Sequence, residues 1–524
     1  MRLRVLAVLF VCACFIVLRG TAAAEWSPPD LRATKASLSD VLAAYTRATG
    51  TPEAGFAQRR ERWTYAVGTR RLSVAVSVKD DDFRATVDLG KGQRFGGGRI
   101  GGRRWRADAN GVTHATLSDD QGDAADRLPQ SVFPFAAADC ALAGESTRFG
   151  EAWIVVDRPA RDKPHWFYVD KSSGLIDHEI LREGARTIVT SFQRFEPVAG
   201  VRRPRHWRVD DGDSTHTLDV DVDSIVVEAV DDVDVGIPQS RRLFAPASPS
   251  PDGVARLPAI FRGRTIIVDA AIDGHHDGFI LDTGTASITL DRDVAARYGF
   301  DPFLEHATVP RMTVGPLALA DASTLAIPFH FGRGIAGILG YNFFLGHVVH
   351  VSYADQRVEV LTPDAAAPAF ADPRATIIDG YFDEGIPIVH AAFGNATGER
   401  FALDTGSPHL LVLAPFVRRY RAEIDARWSQ VGLGRTTDEE YLEGSIRVTT
   451  RRVASFSLAG VRFTDALVGT EERNDRSNAI DIPLDGIIGT EEMAFYDWWF
   501  DYDNGRIAAR RNSVRFAEAR SGRV

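Results

Sequence analysis

An internal repeat in the C-terminal half of this 524-residue chain constrains its fold more than any other feature. Each copy consists of an apolar strand, a turn that contains glycine, a second apolar strand and then Asp-Thr-Gly. The copies cover residues 264–290 and 385–412. Each is followed by an apolar pair that ends in glycine, at Gly340 and Gly489, and by a strand with an Asp or Asn turn. Two copies of one plan predict two β units of the same topology.

This pattern resembles the active-site strands of the retropepsin-like and pepsin-like aspartic peptidases, across residues 255–512. The resemblance implies a mainly β fold with two peptidase-like lobes, and it makes Asp282 and Asp404 the two catalytic carboxylates. Two carboxylates that share one proton can accept a proton from water and donate one to the carbonyl oxygen of an amide. Held close together they do not both ionise, so one of them stays protonated over a wide pH range.

The residues that follow each Asp have expected roles of their own. Glycine at positions 284 and 406 allows the backbone to approach closely, so that amide N–H groups can bond the carboxylates. By resemblance, the hydroxyl groups of Thr283 and Thr405 cross-link the two active-site loops. Gly284 and Gly406 therefore support the carboxylates, and the two threonines hold the loops together.

Two further pairs of residues complete the expected site. By resemblance, Thr285 and Ser407 supply hydroxyl groups to the outer carboxylate oxygens, and both copies carry a hydroxyl residue at that position. The apolar pairs before Gly340 and Gly489 are expected to pack beneath the Asp loops, which is a structural role. Ordinary turns also favour Asp and Gly, but the repeated context favours a site.

The two copies differ in length. Asp282 and Gly340 are 58 positions apart, whereas Asp404 and Gly489 are 85 apart, so the second copy carries about 27 extra residues. Within the second copy, residues 428–458 predict a glycine-tipped hairpin that resembles a substrate-covering flap. The first copy has room only for a short turn. We therefore expect one working flap, contributed by the C-terminal lobe.

The part of the chain before the repeat, residues 25–240, is predicted to be an α+β domain. A helix is predicted over residues 37–50, with Ser37 or Ser39 as its N-cap and Gly50 at its end. Alternating apolar and polar segments follow and predict a long antiparallel meander. Residues 167–183 and the two strands after them resemble the LolA and LolB type of lipoprotein carrier, a half-barrel that holds acyl chains. A β-rich domain that only docks onto the peptidase explains the same pattern.

Targeting and linker signals divide the chain. Residues 1–24 place two arginines before a short apolar run and end in three alanines, which predicts a cleaved export signal and a periplasmic or secreted protein. A membrane anchor is the alternative, but the apolar run is short for a span. Linkers rich in proline and alanine are predicted at residues 235–253 and 361–376. The predicted peptidase lobes are residues 254–362 and 375–516.

Charge and isolated motifs limit the remaining chemistry. The formal net charge is −10, and about −13 without the export signal, which gives no indication of nucleic-acid binding. The pattern G-x-G-x-x-G at residues 96–101 precedes no helical period, so a cationic hairpin is expected. His275 and His276 lie on a predicted turn without a third metal ligand nearby. We expect no metal and no cofactor, and we expect Cys140 to be a small buried hydrophobe.

The sequence thus predicts an exported aspartic endopeptidase, with a peptide or protein as substrate and with Asp282 and Asp404 of one monomer activating water. A second hypothesis makes the protein a lipid or envelope-protein binding module, whose peptidase-like lobes are only a scaffold and whose residues 25–240 bind an acyl chain or lipoprotein. In a third, each lobe pairs with its twin in another molecule. The complete set of active-site residue types in both copies favours the enzyme.

Overall fold

The structure is a computed structural model. It describes residues 30–90, 93–116, 140–157, 165–183, 186–212, 217–246, 252–300, 306–328, 334–379, 381–383, 385–431, 436–441, 444–458, 460–471 and 484–514. The predicted export signal, residues 1–24, lies outside these ranges. The chain divides into two compact units: Met1–Thr113 with Ser118–Gln239, and His114–Leu117 with Ser240–Val524. Strands dominate both, so the prediction of a mainly β chain is confirmed.

The first unit begins with helix α1, Leu38–Thr49. The Ser37 hydroxyl accepts a hydrogen bond from the Asp40 N–H, and the Asp40 carboxylate accepts one from the Ser37 N–H. This reciprocal capping satisfies two amide donors that a helix start leaves open. The helix ends at Gly50, whose φ of 85° suits glycine. Of the two serines predicted as the N-cap, the structure therefore selects Ser37.

A 13-stranded antiparallel sheet follows α1. Its strands are β1 (Gln58–Val67), β2 (Arg70–Lys79), β3 (Asp82–Gly90), β4 (Gln93–Ile100), β5 (Arg103–Ala107), β6 (Thr113–Thr116), β7 (Cys140–Ser146), β8 (Ala152–Asp157), β9 (His165–Asp170), β10 (Ile176–Glu183), β11 (Arg186–Val198), β12 (Val201–Asp210) and β13 (Leu218–Val227), and helix α2 is Asp232–Val235. The sheet order is β6-β5-β4-β3-β2-β1-β13-β12-β11-β10-β9-β8-β7. Strands that are neighbours in sequence pair with each other, except β6 and β7, which lie at opposite ends of the sheet, and the β1–β13 pair joins the two halves. The predicted meander is confirmed.

A buried ion cluster lies on the inner face of this sheet. Glu61 accepts hydrogen bonds from both terminal nitrogens of Arg203, at 2.8 and 3.0 Å, and from Arg59 Nε at 2.7 Å. The Trp63 indole donates to the same carboxylate at 2.9 Å. Burial by itself would raise the pKa of Glu61, but the charges of Arg203 and Arg59 outweigh it and lower the pKa to about 2. The carboxylate therefore stays ionised inside the unit.

Two predictions for single sites in this unit have different outcomes. Residues 96–101 lie in the hairpin of β4 and β5, as predicted, with Gly101 at φ 54° in its turn. Cys140, however, is only partly buried, so the prediction of a buried hydrophobe is wrong. The reason is its position: Cys140 is the first residue of β7, the last strand in the sheet order.

The second unit contains three sheets, with eight, six and nine strands. Its strands are β14 (Ala245–Pro246), β15 (Val254–Leu257), β16 (Ala259–Arg262), β17 (Thr265–Ile272), β18 (His275–Leu281), β19 (Thr289–Asp291), β20 (His306–Val314), β21 (Leu317–Ile327), β22 (Ile335–Leu339), β23 (Val348–Ser352), β24 (Arg357–Leu361), β25 (Ala375–Asp379), β26 (Tyr381–Asp383), β27 (Ile386–Phe393), β28 (Ala396–Leu403), β29 (Leu411–Val412), β30 (Ser429–Gln430), β31 (Thr436–Tyr441), β32 (Gly444–Leu458), β33 (Val461–Glu471), β34 (Gly486–Ile488), β35 (Tyr496–Asp501) and β36 (Arg506–Arg511). Its helices are α3 (Arg292–Arg297), α4 (Tyr341–Phe344), α5 (Pro363–Ala371), α6 (Ala414–Arg427) and α7 (Thr490–Met493), with a 3-10 turn at Tyr502–Asn504.

The two copies of the repeat have the same strand topology. In the first, β17 and β18 form a hairpin, β18 runs parallel to β22, and β19 lies antiparallel to β22 and parallel to β21. In the second, β27, β28, β34, β29 and β33 reproduce each of these pairings in turn. The repeat in the sequence is therefore a repeat in the structure.

The six-stranded sheet takes three strands from each copy, in the order β15-β24-β23-β35-β36-β25. The copies meet where β23 pairs antiparallel with β35, with His350 opposite Trp499 and Val351 opposite Trp498. Both tryptophans are buried, and the His350 ring stacks on Trp499 at 4.3 Å. This sheet therefore joins the two copies through a fixed register.

The segment predicted as a linker at residues 361–376 contains helix α5. The Thr362 hydroxyl accepts a hydrogen bond from the Ala365 N–H, and Pro363 occupies the first helical position. Thr before Pro is a helix start signal, because proline has no N–H that would need a partner there. The predicted linker therefore contains a helix, which connects β24 of the first copy to β25 of the second.

Part of the extra length of the second copy lies outside the predicted flap. Helix α6 has 14 residues, whereas its counterpart α3 has six. The predicted hairpin consists of β31 and β32, in which Thr436 pairs with Thr449 and Tyr441 with Gly444. Residues 432–435 and 442–443 of this segment lie outside the described ranges.

Candidate active site

Each Asp-Thr-Gly triplet begins where a buried strand, β18 or β28, ends. The Asp282 N–H donates to the Leu339 carbonyl at 3.0 Å, and the Asp404 N–H donates to the Ile488 carbonyl, also at 3.0 Å. The acceptors lie on β22 and β34, the strands that end just before Gly340 and Gly489. These apolar segments therefore hold the first residue of each triplet in place.

Four hydrogen bonds connect the two triplets through their threonines. The Thr283 hydroxyl donates to the Leu403 carbonyl at 2.6 Å and accepts from the Thr405 N–H at 3.0 Å. The Thr405 hydroxyl donates to the Leu281 carbonyl at 2.8 Å and accepts from the Thr283 N–H at 3.0 Å. Both threonines are buried. Each copy therefore satisfies the polar groups of the other, as expected from the resemblance.

The two carboxylates lie against the opposite glycines. A Cβ atom on Gly284 would lie 2.5 Å from Cγ of Asp404, and one on Gly406 would lie 2.5 Å from Cγ of Asp282. Each glycine N–H donates to the Asp of its own triplet, at 2.7 Å in both copies. Any side chain at either glycine would displace the carboxylate of the other copy. The geometry therefore brings Asp282 and Asp404 of one chain together.

The outer hydroxyl groups differ between the copies. Thr285 Oγ1 donates to Asp282 Oδ2 at 2.6 Å, as expected. In the second copy, the Ser407 N–H donates to Asp404 Oδ1 at 3.1 Å, while the Ser407 hydroxyl lies 3.5 Å from the His409 carbonyl. The expected role of the Ser407 hydroxyl is therefore not the one seen. The site is symmetric in its backbone and asymmetric in its hydroxyl donors.

The electrostatics of the pair follow from burial and proximity. Burial raises the pKa of Asp404 well above its ordinary value, and the charge and hydrogen-bonding side chain of Asp282 raise it further. The N–H groups of Gly406 and Ser407 act in the opposite direction without reversing the shift. Asp282 is 8% exposed and Asp404 is partly buried. Two carboxyl groups in this position can share one proton.

Other candidate residues do not complete a metal site. The His276 ring lies 2.7 Å from Asp269 and is largely exposed, while His275 stacks on Tyr298. Among the described residues, no group of three or more His, Cys, Asp or Glu side chains could hold a metal ion. His409, beside the second triplet, lies 3.5 Å from Glu491.

Two residues near the pair were missed by the sequence analysis. Tyr353 and Tyr502 are buried, and the charges of the aspartates act on both: Asp404 on Tyr353, and Asp282 with Asp404 on Tyr502. Each tyrosine directly follows the second-to-last strand that its copy contributes to the six-stranded sheet, β23 or β35, and lies four positions before the arginine that begins the next strand. Their shared place in the repeat is the signal that could have found them.

Comparisons with known proteins find structural similarity but no family. No protein family and no curated protein sequence matches the chain. A LolA superfamily protein from Nitrosomonas europaea is similar in structure, with 10% identity, a TM-score of 0.30, and coverage of 38% of this chain and 98% of that one. An outer membrane lipoprotein-sorting protein domain from Vibrio parahaemolyticus has 9% identity, a TM-score of 0.28, and coverage of 37% and 94%. Similarity this low carries no argument about function.

Within the described residues, no helix combines the length and apolar character that crossing a membrane requires.

Proposed function

We propose that the protein is an exported aspartic endopeptidase in which Asp282 and Asp404 activate the water that hydrolyses a peptide bond. The eight-stranded and nine-stranded sheets would be its two lobes, joined by the six-stranded sheet. The observation that carries the proposal is the reciprocal contact of each triplet glycine with the carboxylate of the other copy. Placing two carboxyl groups side by side away from water costs free energy. Two ordinary turns would therefore not be expected to bring them together.

The roles of the two aspartates follow from their surroundings. The raised pKa of Asp404 makes it the partner that carries the proton. Asp282 accepts hydrogen bonds from the Thr285 hydroxyl and the Gly284 N–H, donors that favour a negative charge. Asp282 would take a proton from water while the water oxygen bonds to the amide carbon. Asp404 would give its proton to the carbonyl oxygen, which forms a diol at the amide carbon. Asp282 would then give the proton taken from water to the nitrogen as the C–N bond breaks, and Asp404 would regain a proton from a hydroxyl of the diol.

The direct test is cleavage of a peptide mixture across pH by the full-length protein and its Asp282→Asn and Asp404→Asn variants. Each substitution keeps the shape of the side chain and removes its acid-base function, so we expect the cleavage rate to fall by roughly 10³-fold. Asp291→Asn is the matched control: Asp291 is also buried in the second unit, but it caps α3, a role that Asn fills equally well.

Two results would count against this function. Cleavage that survives both active-site substitutions would exclude the pair as the catalytic group. A loss of cleavage in Asp291→Asn equal to that in Asp404→Asn would point to general damage instead. The light-scattering mass of the active species separates pairing within one chain from pairing between molecules, because an active monomer excludes the latter.

A second candidate function concerns the first unit. Its sheet carries large aromatic side chains on the buried face, including Trp63, Tyr65 and Trp207, and one helix, α1, packs near β12. The aromatic part of this face, beside the Glu61 cluster, suits an acyl chain. Mass spectrometry of lipids bound to the full-length protein after incubation with phospholipid vesicles tests this candidate. Stoichiometric lipid supports it, and none contradicts it.

A further inference from the structure

Two buried tyrosines occupy the same position in the two copies of the repeat. Tyr353 follows β23 in the sequence Tyr-Ala-Asp-Gln-Arg, and Tyr502 follows β35 in Tyr-Asp-Asn-Gly-Arg. Their exposed fractions are 1% and 4%. Within the part of the chain that the structure describes, neither hydroxyl has a hydrogen-bond partner. Burial of an unpartnered hydroxyl costs stability, so its occurrence at both equivalent positions needs an explanation.

Packing places Tyr502 next to the loop of the first aspartate. The Tyr502 ring lies 5.5 Å from the ring of Tyr341 and 4.4 Å from that of Phe382. The N–H of Tyr341 donates to the Thr285 carbonyl at 2.8 Å, in the loop that contains Asp282. Tyr502 is therefore separated from the Asp282 loop by a single residue.

Tyr353 occupies the equivalent place at the other end of the β23–β35 pair, which joins the two copies. Because β23 and β35 are antiparallel, the residues that follow them lie at opposite ends of the pair. The Tyr353 ring packs edge-to-face on Phe261 of β16, at 5.7 Å. Tyr502 packs on Phe382 of β26, the strand that precedes the hairpin of the second copy just as β16 precedes that of the first. The two tyrosines are thus related by the repeat.

The aspartate pair acts on both hydroxyls. Burial raises the pKa of Tyr353, the charge of Asp404 raises it further, and Arg264 opposes the shift. Burial likewise raises the pKa of Tyr502, and Tyr341, Asp282 and Asp404 add to it. Both phenols therefore stay neutral at neutral pH. A neutral phenol within reach of the charge of a carboxylate presents the dipole of its hydroxyl to that charge.

The other charged groups on the elements around the tyrosines have partners of their own. These ion pairs are Asp501 with Arg506 (2.8 Å), Asp503 with Arg242 (3.0 Å), Asp355 with Arg357 (3.4 Å), Arg264 with Glu491 (3.3 Å), and Asp383 with Arg400. Arg262 of β16 is exposed. Among the described residues, the groups that act on the two hydroxyls are therefore the aspartate pair, Tyr341 and Arg264.

We propose that Tyr353 and Tyr502 are positioning residues of the active site, whose hydroxyl dipoles stabilise the singly ionised pair of Asp282 and Asp404. A hydroxyl that no protein group holds can rotate until its positive end faces the negative charge. Each copy contributes one tyrosine, and the two tyrosines lie at opposite ends of the β23–β35 pair. The meaning of this role for catalysis rests on the proposed peptidase function.

The test removes the hydroxyls and keeps the rings, in full-length Tyr353→Phe and Tyr502→Phe. Loss of a favourable dipole raises both apparent pKa values of the pair, because each ionisation adds negative charge. The bell-shaped pH profile for cleavage of one peptide should then move to higher pH, by about half to one pH unit for each variant. KM should change little, since neither tyrosine is argued to contact the substrate.

Tyr168→Phe is the matched control. Tyr168 lies in the first unit, is fully buried, and its hydroxyl has no hydrogen-bond partner among the described residues. This variant should leave the pH profile unchanged. All three variants should resist urea at least as well as the wild type, because each loses an unpartnered buried hydroxyl. A purely structural role would instead lower stability and leave the pH profile in place.

A second measurement is independent of cleavage. The free energy of unfolding is followed against pH, relative to that of Asp404→Asn. The raised pKa of Asp404 stabilises the fold at low pH, and this contribution is lost as the pH rises through that pKa. In the Phe variants the loss should occur at higher pH. If the wild type cleaves no peptide, the proposed function fails while this measurement still tests the tyrosines. An unchanged titration in both variants, or an equal shift in Tyr168→Phe, overturns the inference.

Discussion

The two units each bury a carboxylate, and they treat it in opposite ways. In the first unit, Glu61 lies between Arg203 and Arg59, which lower its pKa to about 2. In the second, Asp404 lies beside another carboxyl group, Asp282, and burial with this neighbour raises its pKa. Glu61 is buried and Asp404 is partly buried, and burial acts on both to raise the pKa, so burial alone does not distinguish them. The sign of the neighbouring charge does.

This contrast separates a structural charge from a reactive one. The Glu61 cluster satisfies its carboxylate with four hydrogen bonds and has no reason to exchange protons near neutral pH. The aspartate pair keeps one proton that its surroundings make easy to transfer. Perturbed carboxylates of this second kind are concentrated at functional sites. Removing a charge should therefore damage the fold in the first unit and the chemistry in the second.

The largest expected effect comes from exchanging a carboxylate for its amide in each unit. Glu61→Gln leaves two buried guanidinium groups without a counter-charge and should destabilise the first unit by about 3–5 kcal/mol. Asp404→Asn removes the repulsion between two neighbouring carboxyl groups and should not destabilise the second unit. Hydrogen exchange of the full-length variants, followed by mass spectrometry of peptides from each unit, measures both effects separately.

The control for Glu61→Gln is Glu196→Gln, which breaks an ion pair with Arg205 whose Glu196 side chain is more than half exposed. A surface pair contributes about 1 kcal/mol or less. Equal losses in the two variants, or a severe loss of protection in Asp404→Asn, would remove the distinction drawn between the units.

A smaller effect is expected from acid, through two histidines of the second unit, of which His347 is buried and His306 partly buried. Burial lowers the pKa of His306 and of His347 to about 4. The unfolded chain therefore binds more protons than the folded one between about pH 6.5 and 4, and stability falls as the pH falls through this window. Each histidine accounts for roughly 3 kcal/mol. The Glu61 cluster loses its contribution only below about pH 4.5, as its carboxylate takes up a proton.

The measurement is urea unfolding of the second unit against pH in the Asp404→Asn background, which removes the opposing contribution of the aspartate pair. His347→Gln should flatten the dependence, since the replacement does not titrate. A dependence that remains as steep without His347 would show that this histidine is not the group responsible.

The smallest of these effects concerns the bonds between the two copies. Thr405→Val keeps the shape of the side chain but removes one donated and one accepted hydrogen bond, which should cost about 2 kcal/mol. Thr405→Ser keeps the hydroxyl and should cost less. Urea unfolding compares the two variants. If Val and Ser are equally destabilising, the methyl packing of Thr405 matters more than its bonds to Thr283 and Leu281.

Local patterns carried most of the predictable structure. The N-cap at Ser37, the helix end at Gly50 and the meander depend on short-range spacing, and the sequence shows that spacing directly. The aspartate loops were predictable because the chain contains the motif twice. In both cases the signal lies within a few residues of the structure that it predicts.

Features that depend on distant partners were not predictable. Strand alternation indicates that Glu61 faces inwards, but not that Arg203, 142 positions later, lies beside it. The Ser407 hydroxyl was expected at Asp404, and the turn geometry instead presents the Ser407 N–H. Proline and alanine suggested a linker at residues 361–376, although Thr362 before Pro363 also begins a helix.

The register between β23 and β35 has a consequence for how this site can vary. Side chains alternate along a strand, so a slip of one residue would turn Trp499 out of the core, and the next slip that restores the faces is about 7 Å long. Hydrogen bonds at the site tolerate far smaller displacements. The β23–β35 pair is therefore either in its native register or unpaired, and no intermediate register exists. Small changes in the distance between the two carboxylates must therefore come from the loops that carry Asp282 and Asp404.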